Sequence, residues 1–315
     1  MVETNNYNFK GITSFFAYDN GELEECRLNA YNIIHTKYGK LVPQYMNPGI
    51  RRKDSRALAF YRSGQVKSIS LDEQTEILTP IGTFPAELVT FYEDGSINSL
   101  FPLNGQLSFS WSEEEEGNLA QKYNFSFPFG SFAAKISGLR FYENGDVRSL
   151  ILWPEEIIEI DSPVGRIPIR IGFKLFDNGM IESLEPAAPI TVATPIGPVK
   201  AYDTSALAMD ADVNSMKFDR KGNLISLVTS GDIIIVHKLT GDKKIISSEL
   251  KLGLMDDDFV KIPISINFFQ NTVRFDNGKS VTLWNTMDYT FRFEYDVMMG
   301  KTPCHGECSM CSECS

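Results

Sequence analysis

Cysteine is nearly absent from the body of this 315-residue chain: of its five cysteines only Cys26 lies before residue 304. No disulfide framework staples the first three hundred residues, and a chain of this length buries a sizeable core without one. Histidine is as scarce, with His35, His237 and His305 alone. Neither the HExxH pattern of zinc hydrolases nor the GxSxG turn of serine hydrolases occurs. Long apolar runs are missing, so no membrane span is expected. The opening MVETNNYNFKGI has no basic stretch followed by an apolar one, so no signal peptide is read there. The cytoplasm is therefore the expected compartment, with thiols kept reduced and the Asn124-Phe125-Ser126 sequon without meaning. Basic residues are in deficit, 30 Lys and Arg against 41 Asp and Glu, for a net charge of -11. That excludes a general nucleic-acid binder and docking on anionic lipid. Helical periodicity is wanting too; only residues 113–124 and 203–212 suggest short turns.

What is present is a repeat. FYRSGQVKSI (60–69), FYEDGSINSL (91–100), FYENGDVRSL (141–150), LFDNGMIESL (175–184) and FDRKGNLISL (218–227) share one skeleton. A weaker copy, AYDNGELEEC, occupies 17–26, and a degenerate one surrounds Phe275-Asp276-Asn277-Gly278. Aromatic residues before a turn dipeptide such as Asp94-Gly95, Asn144-Gly145 or Asn178-Gly179, and aliphatic residues after it, predict a β-hairpin. Strict alternation after the glycine predicts Ile97 and Ser99 on one face, Asn98 and Leu100 on the other. The recurring Ser68, Ser99, Ser149, Ser183 and Ser226 read either as a row of ligand-binding hydroxyls or as small residues at a close strand contact, the packing a repeat imposes everywhere.

A second turn follows at a fairly regular offset after four of the hairpins: TPIGTFP (79–85), FPFGSF (127–132), SPVGRIP (162–168) and TPIGPV (194–199). It lies 18 residues after the first glycine in two units, 20 in a third, and 35 between Gly95 and Gly130. The extra residues of the last include Glu113 to Glu116, expected as an exposed loop on a longer hairpin. Each unit thus reads strand, turn, strand, turn, strand. With cores such as Phe141-Tyr142-Glu143-Asn144-Gly145 and Phe91-Tyr92-Glu93-Asp94-Gly95, residues 17–227 resemble the MORN-like hairpin repeats of bacterial proteins of the YwqK antitoxin type. The resemblance implies an elongated β-sheet with an exposed face for binding a partner.

From about residue 228 the repeat gives way to irregular strands: DIIIVHKL (232–239), KKIISSELKLG (243–253), VKIPISINFF (260–269), SVTLWN (280–285) and YTFRFEYDVMM (289–299). Other motifs fail. Gly278-Lys279-Ser280 lacks the first glycine of a phosphate loop, since residue 273 is valine, and Asp210 to Asn214 lacks the glycine and glutamate of a calcium loop. His237 reads as a strand histidine. Glu93, Asp94, Glu143 and Asp177 read as solvent-facing turn acids, although a glycosidase-like pair is not distinguished from them by spacing.

The tail is different. Cys304, Cys308, Cys311 and Cys314 follow one another as C-x3-C-x2-C-x2-C, with His305 beside the first. Such steps let several thiolates meet one ion, and thiolates select zinc, copper(I) or iron–sulfur centres. The spacing resembles a ferredoxin run in reversed order. It also resembles the radical-SAM cysteine motif, but that enzyme class needs an α/β barrel after it and is rejected. Metal ligation, a redox or disulfide-forming tail, and a tail with no bound species stand as alternatives.

These readings give an all-β, antiparallel, stacked-hairpin protein with a Cys-rich tail. Its regions are a hairpin repeat over 1–227, a continuing sheet or cap over 228–303, and the tail over 304–315. The expected function is a non-enzymatic scaffold that binds a protein partner and holds zinc or an iron–sulfur cluster through Cys304, Cys308, Cys311, Cys314 and His305. The alternatives are a redox or metal-delivery accessory protein, and a carbohydrate-active enzyme.

Overall fold

The computed structural model describes residues 7–46, 49–52, 56–105, 107–206, 211–212, 214–252 and 259–295. The chain divides into two compact units, residues 1–190 with 206–227, and residues 191–205 with 228–315. Both are built of antiparallel strands.

In the first unit, β1 (Ile12–Ala17) and β2 (Leu23–Leu28) form a hairpin, and β3 (Ile34–Thr36) and β4 (Gly39–Leu41) a small one beside it. There follow β5 (Leu58–Phe60), β6 (Val66–Thr79), β7 (Gly82–Phe91) and β8 (Ile97–Phe101), then a helix, α1 (Glu113–Leu119). The chain continues through β9 (Lys122–Phe127), β10 (Gly130–Phe141), β11 (Val147–Leu152), β12 (Ile158–Ser162), β13 (Gly165–Leu175) and β14 (Ile181–Pro186). After β15 (Ile190–Thr194) and β16 (Gly197–Ala201), a hairpin of the second unit, come β17 (Met216–Phe218) and β18 (Leu224–Thr229). The first unit's pairing runs β1-β2-β5-β6-β7-β8-β10-β11-β13-β14-β17-β18, one antiparallel meander.

The repeat glycine sets each hairpin. Gly21, Gly64, Gly95, Gly145, Gly179 and Gly222 all have φ between 78° and 90°, a left-handed conformation that glycine adopts without steric penalty. Each donates its N–H to the carbonyl three residues earlier, as Gly145 does to Tyr142 at 2.9 Å, and Tyr142 N in turn donates to Asp146 O at 2.8 Å. Each loop thus ends in a glycine bulge.

That bulge corrects the alternation expected from the sequence. Phe91 faces Ile97, Thr90 faces Ser99 and Val89 faces Leu100, so an extra residue is inserted between Ile97 and Ser99. Ile97 therefore shares its face with Leu100, and both are fully buried, while Ser99 turns to the opposite face with Thr90. The same register shift recurs at Phe16/Ala17, Ala59/Phe60, Arg140/Phe141, Lys174/Leu175 and Lys217/Phe218. It places Phe60, Phe91, Phe141, Leu175 and Phe218 in one buried row, beside a second of Leu58, Val89, Leu139, Phe173 and Met216. Each such side chain contributes roughly 1.5–3 kcal/mol by burial. Ser99, Ser149, Ser183 and Ser226 are buried too, between neighbouring strands.

Successive hairpins are also tied by side chains. The hydroxyls of Tyr18, Tyr61, Tyr92 and Tyr142 donate to the carbonyls of Phe60, Phe91, Phe141 and Leu175 at 2.9, 2.8, 2.8 and 2.7 Å. In each case the acceptor is the residue just before the next repeat's aromatic. Phe176 has no hydroxyl. There an ion pair joins Asp177 to Arg220, whose guanidinium lies over the Phe176 ring.

The Pro-x-Gly segments form the opposite set of hairpin tips. Thr79, Ser162 and Thr194 direct their hydroxyls onto the carbonyls of Gly82, Gly165 and Gly197 at 2.7, 2.6 and 2.6 Å. Thr36 does the same to Gly39 at 3.0 Å. The Thr36–Gly39 turn is a further copy that lacks the proline and escapes a reading keyed to it.

In the second unit β19 (Asp232–His237) lies between β20 (Lys243–Ile246) and the last strand; β21 (Glu249–Leu252) pairs with β22 (Phe259–Ile262); β23 (Ile264–Phe268), β24 (Thr272–Asp276) and β25 (Val281–Asn285) form a meander; β26 (Tyr289–Glu294) closes the series. Two runs read as single strands are each divided. Pro263, which has no N–H to donate, separates β22 from β23, and Ser247-Ser248 separates β20 from β21. Tyr295 accepts Lys200 N–H at 2.7 Å and Thr229 donates to Lys200 O at 2.7 Å, which tie β16 into this unit. Among the described residues no helix is long and apolar enough to cross a membrane.

Replacement of Tyr92 by phenylalanine removes one inter-hairpin bond without changing the packed ring. The expected loss is about 1 kcal/mol in urea unfolding. Phe176→Trp, which removes no such bond, tests whether a comparable loss arises from ring packing alone.

Candidate functional site

The long connection between β8 and β9 carries the most elaborate side-chain chemistry of the first unit. The expected exposed loop is instead a helix. Ser112 caps α1: its hydroxyl accepts Glu115 N–H at 3.1 Å, and the Glu115 carboxylate accepts Ser112 N–H at 2.7 Å. Four glutamates fill the first turn, where the helix dipole favours negative charge. They differ sharply in environment. Glu113 and Glu114 are exposed, whereas Glu116 is 3% exposed and faces inward.

Glu116 is held by a guanidinium fork. Arg51 Nε and Nη2 donate to its two carboxylate oxygens at 2.7 and 2.8 Å. The same guanidinium donates through Nη1 and Nη2 to Glu87 of β7 at 2.8 and 2.9 Å. Glu116 also accepts Trp111 Nε1–H at 2.7 Å and Gly105 N–H at 2.9 Å, and Glu87 accepts Asn104 N–H at 2.7 Å. Residue 105 must be glycine for this approach: a Cβ there would stand 2.2 Å from the Glu116 carboxyl. Burial pushes the Glu116 carboxyl up, but Arg51, Trp111 and Gly105 outweigh it and hold it below the usual carboxylate range. Burial alone lowers Arg51, and the two carboxylates more than restore it. The fork thus fastens residues 104–116 onto the sheet.

That fastening shapes a surface. A cavity of about 500 Å3 is lined by Phe101, Leu103, Leu107, Ile151, Trp153 and Pro154, with Glu113 and Glu116 at its polar side. Beside it a concavity of about 640 Å3 is lined by Glu113, Glu114, Glu155, Glu156, Lys135 and Trp153. The lysine that lines this second hollow, Lys135, donates its Nζ to Gly117 O at 2.9 Å, and Lys122, outside the lining, pairs with Glu156 at 3.5 Å. Glu155 sits at φ 69°, a rare conformation for a side-chain-bearing residue. It is the third residue of a turn closed by Glu156 N–H to Trp153 O at 3.1 Å, with Pro154 second. Glycine or asparagine is usual at such a position. The arrangement is an apolar, tryptophan-walled pocket with an acidic rim.

The residues singled out in the sequence fall elsewhere. Cys304, His305, Cys308, Cys311 and Cys314 lie outside the described residues. Among those described, no group of three or more His, Cys, Asp or Glu is placed to hold a metal ion. Cys26 is buried, and burial, with Glu25 nearby, pushes its thiol up to about 12, far from a reactive thiolate. His237 lies in β19, where its Nδ1 faces Thr240 N–H at 3.2 Å and its ring meets Tyr289 edge-on. Glu93, Asp94, Glu143 and Asp177 sit on exposed turns. Asp212, from the rejected calcium-loop segment, bonds Arg140 and Arg148. The structure does bring Glu87 and Glu116 together, and both are engaged by Arg51. Sequence reasoning missed Arg51, Glu87, Trp111 and Trp153, although Ser112-x-x-Glu115 is a legible capping box.

Arg51→Ala strands two buried carboxylates and is expected to cost about 3–5 kcal/mol in urea unfolding. Because Glu116 is lowered in the folded protein, its contribution is whole above the ordinary glutamate value of 4.5 and is lost as pH falls through the lowered folded value. A change in tryptophan emission over that acid range, absent in Glu116→Gln, checks the sign.

Comparison of the chain with family models, with curated proteins and with solved structures found no match.

Proposed function

We propose that the protein is a non-enzymatic binding scaffold of stacked MORN-like β-hairpins. It docks a cationic protein segment in the acid-rimmed pocket beside α1, and its tail holds a thiolate-bound metal. One observation carries the docking reading: an apolar cavity walled by Trp153 with Glu113 on its polar side, adjoined by a hollow lined by Glu114 and Glu155, with the neighbouring Lys135 and Lys122 already bonded. A basic segment with one apolar anchor complements it in charge and polarity. The strained Glu155 backbone supports the reading, since a residue kept at positive φ against its preference commonly serves a site rather than the fold. The repeated bulged hairpins support the stacked, solenoid-like architecture, in which each unit leans on the next.

The metal reading rests on the chemistry of Cys304, Cys308, Cys311, Cys314 and His305. Four thiolates suit zinc or an iron–sulfur cluster. The tail and the pocket are separate functions in this proposal.

A lysine-rich peptide with a single leucine or phenylalanine anchor is expected to bind the full chain and quench tryptophan emission, with affinity falling as salt rises. Glu113→Lys, Glu114→Lys and Glu155→Lys combined is expected to weaken binding at least tenfold. Equal binding by that variant sinks the pocket assignment. Glu155→Gly alone is expected to stabilise the fold by about 1 kcal/mol, because glycine relieves the positive φ.

For the tail, metal content and the ultraviolet–visible spectrum of protein purified without oxygen are compared with a variant ending at Pro303. Near-stoichiometric zinc or iron in the full chain alone supports it; equal, negligible metal in both overturns it.

A further inference from the structure

The repeats diverge from one another at one place on the polar face of the first unit. Each repeat serine faces a residue across its hairpin: Ala59 with Ser68, Thr90 with Ser99, Arg140 with Ser149, Lys174 with Ser183, Lys217 with Ser226. The residues just before those serines are Lys67, Asn98, Arg148, Glu182 and Ile225. Only the hairpin of Arg140 and Arg148 has a cation at both positions. In the next, Lys174 and Glu182 neutralise each other at 2.7 Å.

Two arginines so placed repel each other unless an anion lies between them. The anion here is the Asp212 carboxylate. One of its oxygens accepts from Arg140 at 2.5 Å and from Arg148 at 3.2 Å, with the fully buried Ser149 hydroxyl beside it. Asp212 is not part of a hairpin; it enters on the connection between β16 and β17. The side chains of Arg140, Arg148 and Asp212 are each about a fifth to a quarter exposed, 19%, 25% and 22%, so solvent reaches the cluster.

The backbone beneath is specialised for that seat. Ile171 has φ 64°, a costly conformation for a β-branched residue, and Gly172 follows at φ 131°. A Cβ on Gly172 would stand 1.9 Å from Leu150 O and 3.2 Å from the Ala211 methyl. The bulge lets Ala211 pack fully buried next to Asp212. Strain in β13 is thus retained where a carboxylate is delivered onto two arginines.

We propose that Arg140, Arg148 and Ser149 form an oxyanion-binding site whose resident occupant is the Asp212 carboxylate, and that an external phosphate or carboxylate group displaces it. The chemistry is the forked N–H donation that guanidinium groups offer to planar or tetrahedral oxyanions. A tethered carboxylate acts as a competitor at an effective concentration in the millimolar range, so it sets the threshold at which an external anion enters.

The experiment is calorimetric titration of the full chain with inorganic phosphate and, separately, acetate, at ionic strength held constant with chloride. Asp212→Asn keeps the side-chain shape and removes the competing charge. It is expected to tighten binding of at least one probe tenfold or more over the unsubstituted chain, and the stronger probe identifies the group. Adding Arg148→Ala to Asp212→Asn is expected to abolish that gain. Glu24→Gln, which removes an equal charge from an exposed side chain on β2, is expected to leave affinity unchanged. A folded Asp212→Asn chain that binds neither probe more tightly overturns the proposal, as does an equal gain from Glu24→Gln. If Asp212→Asn does not fold, the unsubstituted chain decides. Arginine Nε resonances of Arg140 and Arg148 that shift with phosphate or acetate but not with chloride support the site; resonances that stay fixed with both probes overturn it.

Discussion

The tyrosine hydroxyl that crosses from one hairpin to the next is the interaction on which the first unit depends. Three repeats end their first strand with an aromatic pair, one ring turned into the core and the other carrying its hydroxyl to the following repeat's backbone. The buried member, Phe60, Phe91 or Phe141, supplies apolar area; its neighbour, Tyr61, Tyr92 or Tyr142, fixes the distance to the next unit. A hydroxyl bonded to a carbonyl has little latitude, so the spacing between hairpins is copied along the sheet. The glycine bulge makes this possible: by inserting one residue it brings positions three apart, such as Ile97 and Leu100, onto the same face.

Regularity at the hairpin ends lets irregularity accumulate elsewhere. The connection carrying α1 is accommodated because β8 and β10 remain paired while the intervening residues fold back. Its attachment is polar. Arg51 satisfies Glu87 and Glu116 at once, which joins two buried carboxylates and a part-buried guanidinium into one interlocked group and leaves an apolar hollow beside it. On the polar face, Asp212 plays a comparable part between Arg140 and Arg148, held over a strained bulge in β13. Both clusters join segments far apart in the chain, and both depart from the repeat.

Much of the hairpin architecture was legible because its signals are local. An aromatic run, a turn dipeptide ending in glycine and an aliphatic run lie within ten residues, and the turn closes through bonds three and four residues apart. The face assignment failed for the same reason in reverse: a bulge changes side-chain parity without changing any residue of the pattern. The acidic run at 113–116 misled because four identical glutamates carry no mark of which one is to be buried. Arg51, 65 residues away from Glu116 in sequence, decides that together with Trp111 and Gly105. Pro263 was overlooked as a strand break because apolar residues flank it on both sides.

The sequence by itself determined the class of the fold, the position of the glycine turn in each ten-residue repeat and the presence of a cysteine-rich tail. These follow from backbone preference and side-chain chemistry within a few residues. Tertiary structure alone decided which glutamate is buried, which arginines meet a carboxylate, and where an apolar hollow opens beside Trp153. Those outcomes depend on groups brought together across tens of residues, where the energy of a charge is set by its surroundings rather than by its neighbours in the chain.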